Sequence, residues 1–206
     1  DTFGSVTRVG SLASVLAGLD AADAAGFAHT KINAVIVRGV NDQKLVSLAD
    51  FASARGYVLR LIEHMPIGTD EAWSPAAFVS LDEMRQTLAQ TWQLTPDAQP
   101  DLPGGGPARY WRGVRKDTGA SLRLGLIGAV SEGFCAQCNR VRLSAQGTLR
   151  ECLSTAGSLS LRDLMRNGAD DATLQRTIAA ALMGKVDSHR FDQGVRTREA
   201  MSSIGG

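Results

Sequence analysis

Residues 31–62 read KINAVIVRGVNDQKLVSLADFASARGYVLRLI, and this stretch decides the fold class. It opens with residues 31–37 and closes with residues 57–62, two apolar, β-branched runs of the length of a buried strand. Between them, Asn41 and Asp42 can cap a helix whose leucines and alanines recur at helical spacing. Strand, helix and strand joined by short turns predict a parallel α/β layer, in which ligand-binding groups lie at or just beyond the C-terminal strand ends.

Four polar residues interrupt these apolar strands, namely Lys31, Asn33, Arg60 and Glu63. Taken alone, Lys31 is consistent with a surface lysine at a strand start and Asn33 with a turn former. Arg60 is equally consistent with a partner in a salt bridge. These positions are therefore candidate functional residues, but the strand pattern by itself does not show whether their role is functional or structural.

The helix and strand pattern extends outwards from this stretch. Upstream, residues 11–25 form one apolar helical face that ends at Gly26. Downstream, Ser80 and Glu83 form a capping-box pattern that predicts a helix to about Gln93. Residues 95–107 carry four of the six prolines and three consecutive glycines, which predict a linker or domain boundary. Beyond it we predict strands at 108–114 and 121–127, a hairpin from 139–143 and 148–153, and helices at 160–167 and 171–183.

Length and composition exclude several classes of protein. With 206 residues, 44% of them hydrophobic, the chain can bury the core of one domain or slightly more. Its 22 basic and 21 acidic side chains give a net charge of +1, so no overall field attracts nucleic acid or a membrane. No apolar run has the length of a membrane span, and we expect a cytoplasmic protein with reduced thiols. Because the chain starts at Asp1 without a methionine, we expect a piece of a longer protein.

The three cysteines of the chain lie close together in sequence, at Cys135, Cys138 and Cys152. An odd number of clustered cysteines favours metal ligands over a disulfide framework. A structural zinc site needs four ligands, and the three histidines are distant in sequence. Three thiolates can instead hold an iron–sulfur cube whose fourth iron is open to a substrate atom. The alternative is a non-catalytic zinc or iron–sulfur module in which the cysteines only staple the chain.

The turn of the predicted hairpin decides whether Cys152 faces the same way as Cys138. A three-residue loop ending at a left-handed Gly147 would place Arg150 opposite Arg142 and both cysteines on one face. A two-residue loop would turn Cys152 to the other face. We predict the three-residue loop, which gathers arginines beside the cysteines as donors for phosphate or a base edge. Solvated hairpin arginines are the alternative.

Several of these motifs occur in the same order in one enzyme family. They are residues 31–33, 38–42, 61–66, 106–110 and 134–144, Gly147, residues 152–153, and the terminal Gly205 and Gly206. On these residues the chain resembles the GTP 3′,8-cyclases of molybdenum cofactor biosynthesis, which are radical S-adenosylmethionine enzymes. The resemblance covers essentially the whole chain. The chain lacks the family's amino-terminal third, which carries a CxxxCxxC motif.

The resemblance implies a two-part α/β architecture. The first part is the C-terminal portion of a partial (β/α)6 TIM-like radical S-adenosylmethionine barrel, and the second is an α+β extension carrying an auxiliary iron–sulfur cluster. In this chain the implied regions are a partial barrel at 1–94, a linker at 95–107, a cluster and GTP-binding region at 108–189, and a tail at 190–206.

The resemblance also implies roles for individual residues. The cluster ligands would be Cys135, Cys138 and Cys152, and the GTP contacts Lys31, Arg140, Val141 and Arg142. Asn33 and Met65 would contact S-adenosylmethionine, Arg60 would lie near the reacting nucleotide, and Gly205 and Gly206 would act in catalysis from a tail that enters the active site. Without the resemblance, Met65 would be taken as core filler and the two glycines as a frayed end.

The implied reaction converts GTP to (8S)-3′,8-cyclo-7,8-dihydroguanosine 5′-triphosphate. A 5′-deoxyadenosyl radical abstracts a ribose hydrogen, and the sugar carbon then attacks guanine C8. The implied cofactors are a three-cysteine [4Fe–4S] cluster with an open iron, S-adenosylmethionine, and a second [4Fe–4S] cluster on the missing region. The implied partners are a second copy in a homodimer and an electron donor protein, with no nucleic acid or membrane. We expect the isolated chain to be inactive. A peptide-modifying radical enzyme is a third possibility, but its cluster modules use more than three cysteines.

Overall fold

The computed structural model describes residues 2–7, 10–68, 73–98, 106–155, 159–189, 191 and 197. The chain divides into two compact units. One comprises residues 1–63 with 79–127, and the other comprises residues 64–78 with 128–206.

The first unit is built on a five-stranded mixed sheet. Its elements are α1 (Thr2–Thr7), α2 (Leu12–Ala24), β1 (Lys31–Ile36), α3 (Leu45–Ala54), β2 (Val58–Glu63), α4 (Leu81–Ala89), β3 (Trp92–Asp97), β4 (Arg109–Arg115) and β5 (Ser121–Ile127). The strand order is β1-β2-β5-β4-β3. The first three strands of this order are parallel, and β5, β4 and β3 pair antiparallel. The predicted α/β class is therefore confirmed.

The alternation of leucines in the strands decides which face of this sheet the helices cover. Leu59 and Leu61 of β2 and Leu124 of β5 are fully buried and belong to one core cluster. The helices α3 and α4 supply the facing side chains, which are Leu45, Ala49, Ala52, Leu81, Met84 and Leu88. Each large apolar side chain buried in this way contributes roughly 1.5–3 kcal/mol to stability.

The start of α4 carries the predicted capping box. The Ser80 hydroxyl accepts a hydrogen bond from the Glu83 N–H, and the Glu83 carboxylate accepts one from the Ser80 N–H. Glu63, a polar exception in β2, is fully buried, and its carboxylate accepts a hydrogen bond from the N–H of Leu81 at 2.9 Å. Glu63 therefore joins the end of β2 to the first turn of α4.

The predicted cap of α3 was wrong. Asn41 makes no side-chain cap, and α3 begins only at Leu45, after a short 3-10 turn. The Asn41 side chain instead accepts a hydrogen bond from the N–H of Val37 and donates one to the carbonyl of Val35. Asp42 accepts from the N–H of Gly39. These side chains close the turn after β1, because short polar side chains bond equally well to a local turn and to a helix end.

The predicted linker at 95–107 also differs from the structure. The helix α4 ends at Ala89, not near Gln93, and β3 follows it directly. β3 pairs antiparallel with β4, so the predicted boundary lies between two adjacent strands of one sheet. Pro96 is tolerated within β3 because β3 is an edge strand. An N–H on the outer side of an edge strand makes no hydrogen bond within the sheet, so a proline there removes none. Residues 99–105 of the predicted linker lie outside the described residues.

The second unit contains a small antiparallel sheet and two helices. Its elements are β6 (Arg142–Leu143), β7 (Thr148–Arg150), β8 (Leu159–Ser160), α5 (Leu161–Arg166) and α6 (Asp171–Met183). The strand order is β6-β7-β8. The strands of the predicted hairpin are shorter than expected, since Cys138 and Arg140 precede β6 and are not part of it. Cys152 follows the end of β7, so strand alternation does not fix which way either cysteine faces.

The predicted three-residue turn of the hairpin is confirmed. Arg142 pairs with Arg150 and Leu143 with Leu149, which is the register that the longer loop requires. Gly147 has φ of +80°, a left-handed conformation. A Cβ at this position would also lie 2.7 Å from the Cβ of Arg162, so glycine is required for both reasons.

In the part of the chain that the structure describes, no helix combines the length and the apolar character that crossing a membrane requires.

Candidate functional site

Three predicted functional residues lie together on one face of the first unit's sheet. Asn33 of β1 and Arg60 of β2 are register partners, and Lys31 lies two residues before Asn33. Because strand side chains alternate, all three point away from the face that carries the leucine core. The Arg60 Nε donates a hydrogen bond to the Asn33 Oδ1 at 2.7 Å. The structure thus gathers these residues into a polar patch, the sheet-face patch, opposite the helix-covered side.

A glycine in the central strand gives Arg60 the room that it occupies. Gly125 of β5 is the register partner of Arg60. A Cβ at position 125 would lie 2.9 Å from the Cγ of Arg60 and 3.1 Å from the ring of Tyr110. Any larger residue at this position would therefore push Arg60 out of its hydrogen bond with Asn33.

We expect Gly125→Ala to lower the free energy of unfolding by about 1–3 kcal/mol, the usual cost of overpacking. Urea denaturation of the variant and the parent chain measures this loss. Gly18→Ala is the matched control because Gly18 lies within α2 and has open space around it. Removing a helical glycine there should raise stability by about 0.5–1 kcal/mol. Equal shifts for both variants would contradict the crowding at Gly125.

The cysteine segment of the second unit begins with a tight turn. Residues Cys135–Gln137 form a single 3-10 turn, and the Cys138 N–H donates to the Cys135 carbonyl at 3.0 Å. This turn brings the two ends of the CxxC motif together. All three cysteines are free thiols and half-buried.

Each thiol has a nitrogen donor directed at its sulfur. The backbone N–H of His189 donates to the Cys135 Sγ at 3.4 Å, and the Ser154 N–H donates to the Cys152 Sγ at 3.5 Å. The Cys138 Sγ accepts a hydrogen bond from the Lys185 ammonium at 3.3 Å. Hydrogen bonds to sulfur are one of the means by which proteins stabilise thiolate ligands and tune iron–sulfur clusters.

The Cys138 thiol is shifted towards its ionised form. Burial raises the pKa of Cys138, but the Arg140 backbone N–H and the Lys185 ammonium favour the thiolate and leave the pKa of Cys138 below its ordinary value. The thiolate is the form that binds metals. This shift therefore favours the form of Cys138 that a metal would require.

Among the described residues, no three cysteine, histidine, aspartate or glutamate side chains stand close enough to share a single metal ion. A compact zinc-type centre is therefore not preformed in that part of the chain. An iron–sulfur cube holds its cysteines farther apart than a single ion does. Three thiols with nitrogen donors at sulfur are the donor chemistry that such a cluster uses, so the residues fit this group.

The arginines lie around the same segment. The Arg140 guanidinium stacks over the Phe134 ring at 4.9 Å. Arg142 lies opposite Arg150 in the hairpin, and Arg150 is only 5% exposed, with its Nη1 donating to the carbonyl of Thr155. Val141, a predicted GTP contact between Arg140 and Arg142, is exposed.

The remaining predicted site residues have mixed outcomes. Met65 is half-buried in the second unit and packs against a small cluster of Ile67 and Phe191, an environment that also suits core filling. Gly205 and Gly206 lie outside the described residues. His64, next to Met65, accepts a hydrogen bond from the Trp73 Nε1 at its backbone carbonyl, and burial lowers the pKa of its side chain.

The structure brings two residues to the cysteines that were not predicted from the sequence, Lys185 and His189. Both follow α6, and they are 47 and 54 residues from the cysteines that they contact. The His189 ring is also within 3.3 Å of the position that a Cβ at Gly133 would take. The only signal in the sequence was the presence of two basic side chains just after a predicted helix. Hydrophobic periodicity does not indicate that such residues contact a distant motif.

Comparison with known proteins identifies the family of the chain. The sequence profile of the family described as Molybdenum Cofactor Synthesis C matches residues 57–191. The chain is 39% identical over 99% of its length to a GTP 3′,8-cyclase of Mycolicibacterium smegmatis, and 40% identical over its full length to one of Pseudomonas entomophila. It spans 56% and 61% of those two relatives. A GTP 3′,8-cyclase of Corynebacterium glutamicum is 37% identical, and the chain spans 55% of it.

The profile covers most of the chain, including the β2 strand, the cysteine segment and both helices that follow it. On this match, the chain belongs to the Molybdenum Cofactor Synthesis C family.

Proposed function

We propose that this chain is the GTP-binding part of a GTP 3′,8-cyclase in molybdenum cofactor biosynthesis. The whole enzyme would convert GTP to (8S)-3′,8-cyclo-7,8-dihydroguanosine 5′-triphosphate. The observation that carries the proposal is the pairing of three nitrogen-bonded thiols with arginines in one unit. The names of its relatives support the same reaction.

The residues that would hold the cluster are Cys135, Cys138 and Cys152. When bound, a [4Fe–4S] cluster on three thiolates offers one open iron to a substrate atom such as a guanine donor. The chain's own task is to prepare these thiolates and to place GTP beside them.

The hairpin arginines would bind the anionic part of GTP. Arg142 and Arg150 are direct cross-strand partners. A phosphate oxygen would accept charge-assisted hydrogen bonds from such guanidinium groups. Arg140 would add a third guanidinium, held by its stacking on Phe134. Val141 would contribute its backbone and its exposed side chain.

The sheet-face patch would contribute the remaining contacts. Lys31 would contact GTP, and Arg60 would lie near the reacting ribose, held there by Asn33. Asn33 and Met65 would line the S-adenosylmethionine site, and the tail ending in Gly205 and Gly206 would enter the active site.

The larger assembly follows from the family resemblance. We propose that the parallel strands belong to a partial (β/α)6 barrel whose other strands, with a second [4Fe–4S] cluster, lie outside this chain. We also propose a cytoplasmic homodimer that receives electrons from a donor protein. No nucleic acid or membrane takes part.

Anaerobic iron–sulfur reconstitution followed by electron paramagnetic resonance of the reduced chain tests the proposal. We expect a [4Fe–4S] signal whose g-values shift when GTP is added and stay unchanged with ATP, because adenine presents a different set of donors and acceptors from guanine. Arg142→Ala should raise the GTP concentration needed for this shift at least tenfold, since it removes a charge-assisted contact worth roughly 1.5–3 kcal/mol.

Arg112→Ala is the matched control for Arg142→Ala, because Arg112 is an exposed arginine on β4 that pairs with Asp97. Its GTP response should equal that of the parent chain. Bound zinc in place of iron, or a cluster signal that GTP leaves unchanged, would instead support the non-catalytic module.

A further inference from the structure

One lysine makes three contacts with the cysteine segment. The Lys185 Nζ donates to the Cys138 carbonyl at 2.9 Å, to the Arg140 carbonyl at 2.8 Å and to the Cys138 Sγ at 3.3 Å. An ammonium has three N–H donors, so all of them are used on residues 138–140. Lys185 is half-buried, and it lies two residues beyond the end of α6.

The same lysine also adjoins the second cysteine segment. Lys185 and Cys152 line one cavity of about 470 Å³, together with Glu151, Thr155 and residues of α6. Lys185 therefore contacts Cys138 and also lines the cavity that Cys152 lines.

We propose that Lys185 is a positioning residue that fixes Cys138 for cluster ligation and sets the reduction potential of the three-cysteine cluster. This inference rests on the proposed function, because it assumes that the cysteines hold a [4Fe–4S] cluster. The two carbonyl contacts fix the backbone on either side of Asn139, and the third contact places a positive charge beside the sulfur.

The charge of Lys185 favours the reduced cluster. Three thiolates already outweigh the positive charge of the oxidised core, and reduction by one electron adds a further negative charge. A nearby cation stabilises the more negative state more strongly, and hydrogen bonds to sulfur act in the same direction. Removing the ammonium should therefore make the cluster harder to reduce.

The test is a redox titration of the reconstituted full chain with dithionite as the one-electron donor, followed by electron paramagnetic resonance. We expect Lys185→Gln to decrease the equilibrium constant for reduction at least tenfold, a shift of about 59 mV for a one-electron couple. Lys185→Arg keeps the charge and should restore most of the parent potential. The parent chain is also titrated with GTP in the same series.

Lys116→Gln is the matched control for Lys185→Gln. The Lys116 Nζ also donates to two backbone carbonyls, those of Ala89 and Gln90, but it lies in the first unit and contacts no cysteine. Its loss should leave the potential at the parent value. Circular dichroism of each variant before reconstitution checks that the fold is retained, and Lys185→Arg provides the comparison if Lys185→Gln folds poorly.

The outcomes separate this inference from the proposed function. A parent cluster that responds to GTP, with the same potential in Lys185→Gln and Lys185→Arg as in the parent, would overturn the role of Lys185 alone. A parent chain that assembles no iron–sulfur cluster would overturn both. A lower potential in Lys185→Gln that Lys185→Arg restores, with Lys116→Gln unchanged, would establish the role.

Discussion

Cys138→Ser is expected to abolish assembly of a stable iron–sulfur cluster on this chain. Cys138 ends the CxxC turn, and its thiolate is stabilised by Lys185 and by the Arg140 backbone. A serine hydroxyl is not ionised at neutral pH and does not replace a thiolate on iron. Because even outer-shell changes cost about 10–100-fold in metal affinity, loss of a direct ligand should lower the bound iron by more than tenfold.

Iron and sulfide analysis after anaerobic reconstitution, together with the absorbance of the cluster, measures this effect. Ser154→Ala is the matched control, because the Ser154 hydroxyl lies 3.2 Å from the Cys152 Sγ without being a proposed ligand. It keeps all three thiols, so it should retain far more iron than Cys138→Ser. Parent levels of iron and sulfide in Cys138→Ser would contradict the assignment of Cys138 as a ligand.

Leu124→Ala should destabilise the first unit by about 2–5 kcal/mol, the usual cost of removing a fully buried leucine and leaving a cavity. Leu124 is the register partner of Leu59 in the parallel pair and of Trp111 in the antiparallel pair. It therefore lies at the centre of the sheet, where neighbouring strands cannot move in to fill the cavity that the truncation leaves.

Urea denaturation followed by tryptophan fluorescence measures this loss, since Trp92 and Trp111 both lie in the first unit. Leu12→Ala is the control, because Leu12 is 48% exposed in α2 and its truncation should change stability by less than about 0.5 kcal/mol. Comparable losses in both variants would show that Leu124 lies outside the core.

Local patterns predicted most of the secondary structure of this chain. The apolar strands β1 and β2, the capping box at Ser80 and the loop ending at Gly147 all depend on residues within a few positions of each other. Each of these was therefore open to prediction from spacing and from the conformational preferences of single residues. The register of the hairpin followed from one glycine.

The two errors have different causes. The prolines and glycines at 95–107 suggested a boundary, but Thr95, Pro96 and Asp97 belong to β3, which pairs with β4. That outcome depends on the pairing of strands that are separate in sequence. Asn41 offered a helix cap, yet its side chain bonds to the carbonyl of Val35 and the N–H of Val37. That outcome is a choice between two local partners, which the residue type alone does not decide.

The candidate site was also only partly predictable from the sequence. The CxxC spacing singled out Cys135 and Cys138 directly, and the family resemblance added Lys31, Asn33 and Arg60. Lys185 could not be found in this way, because its contact with Cys138 depends on how α6 packs within the second unit. A cation that contacts a distant ligand leaves no period or spacing in the sequence.

The proline in β3 makes the two edges of the five-stranded sheet unequal. β3 and β1 are the outermost strands among the described residues. A further strand added beside β3 would meet a backbone interrupted at Pro96, which has no N–H to donate, and prolines at such places discourage copies of a protein from joining edge to edge. β1 contains no proline. Growth of the sheet by additional strands is therefore directed to the β1 side.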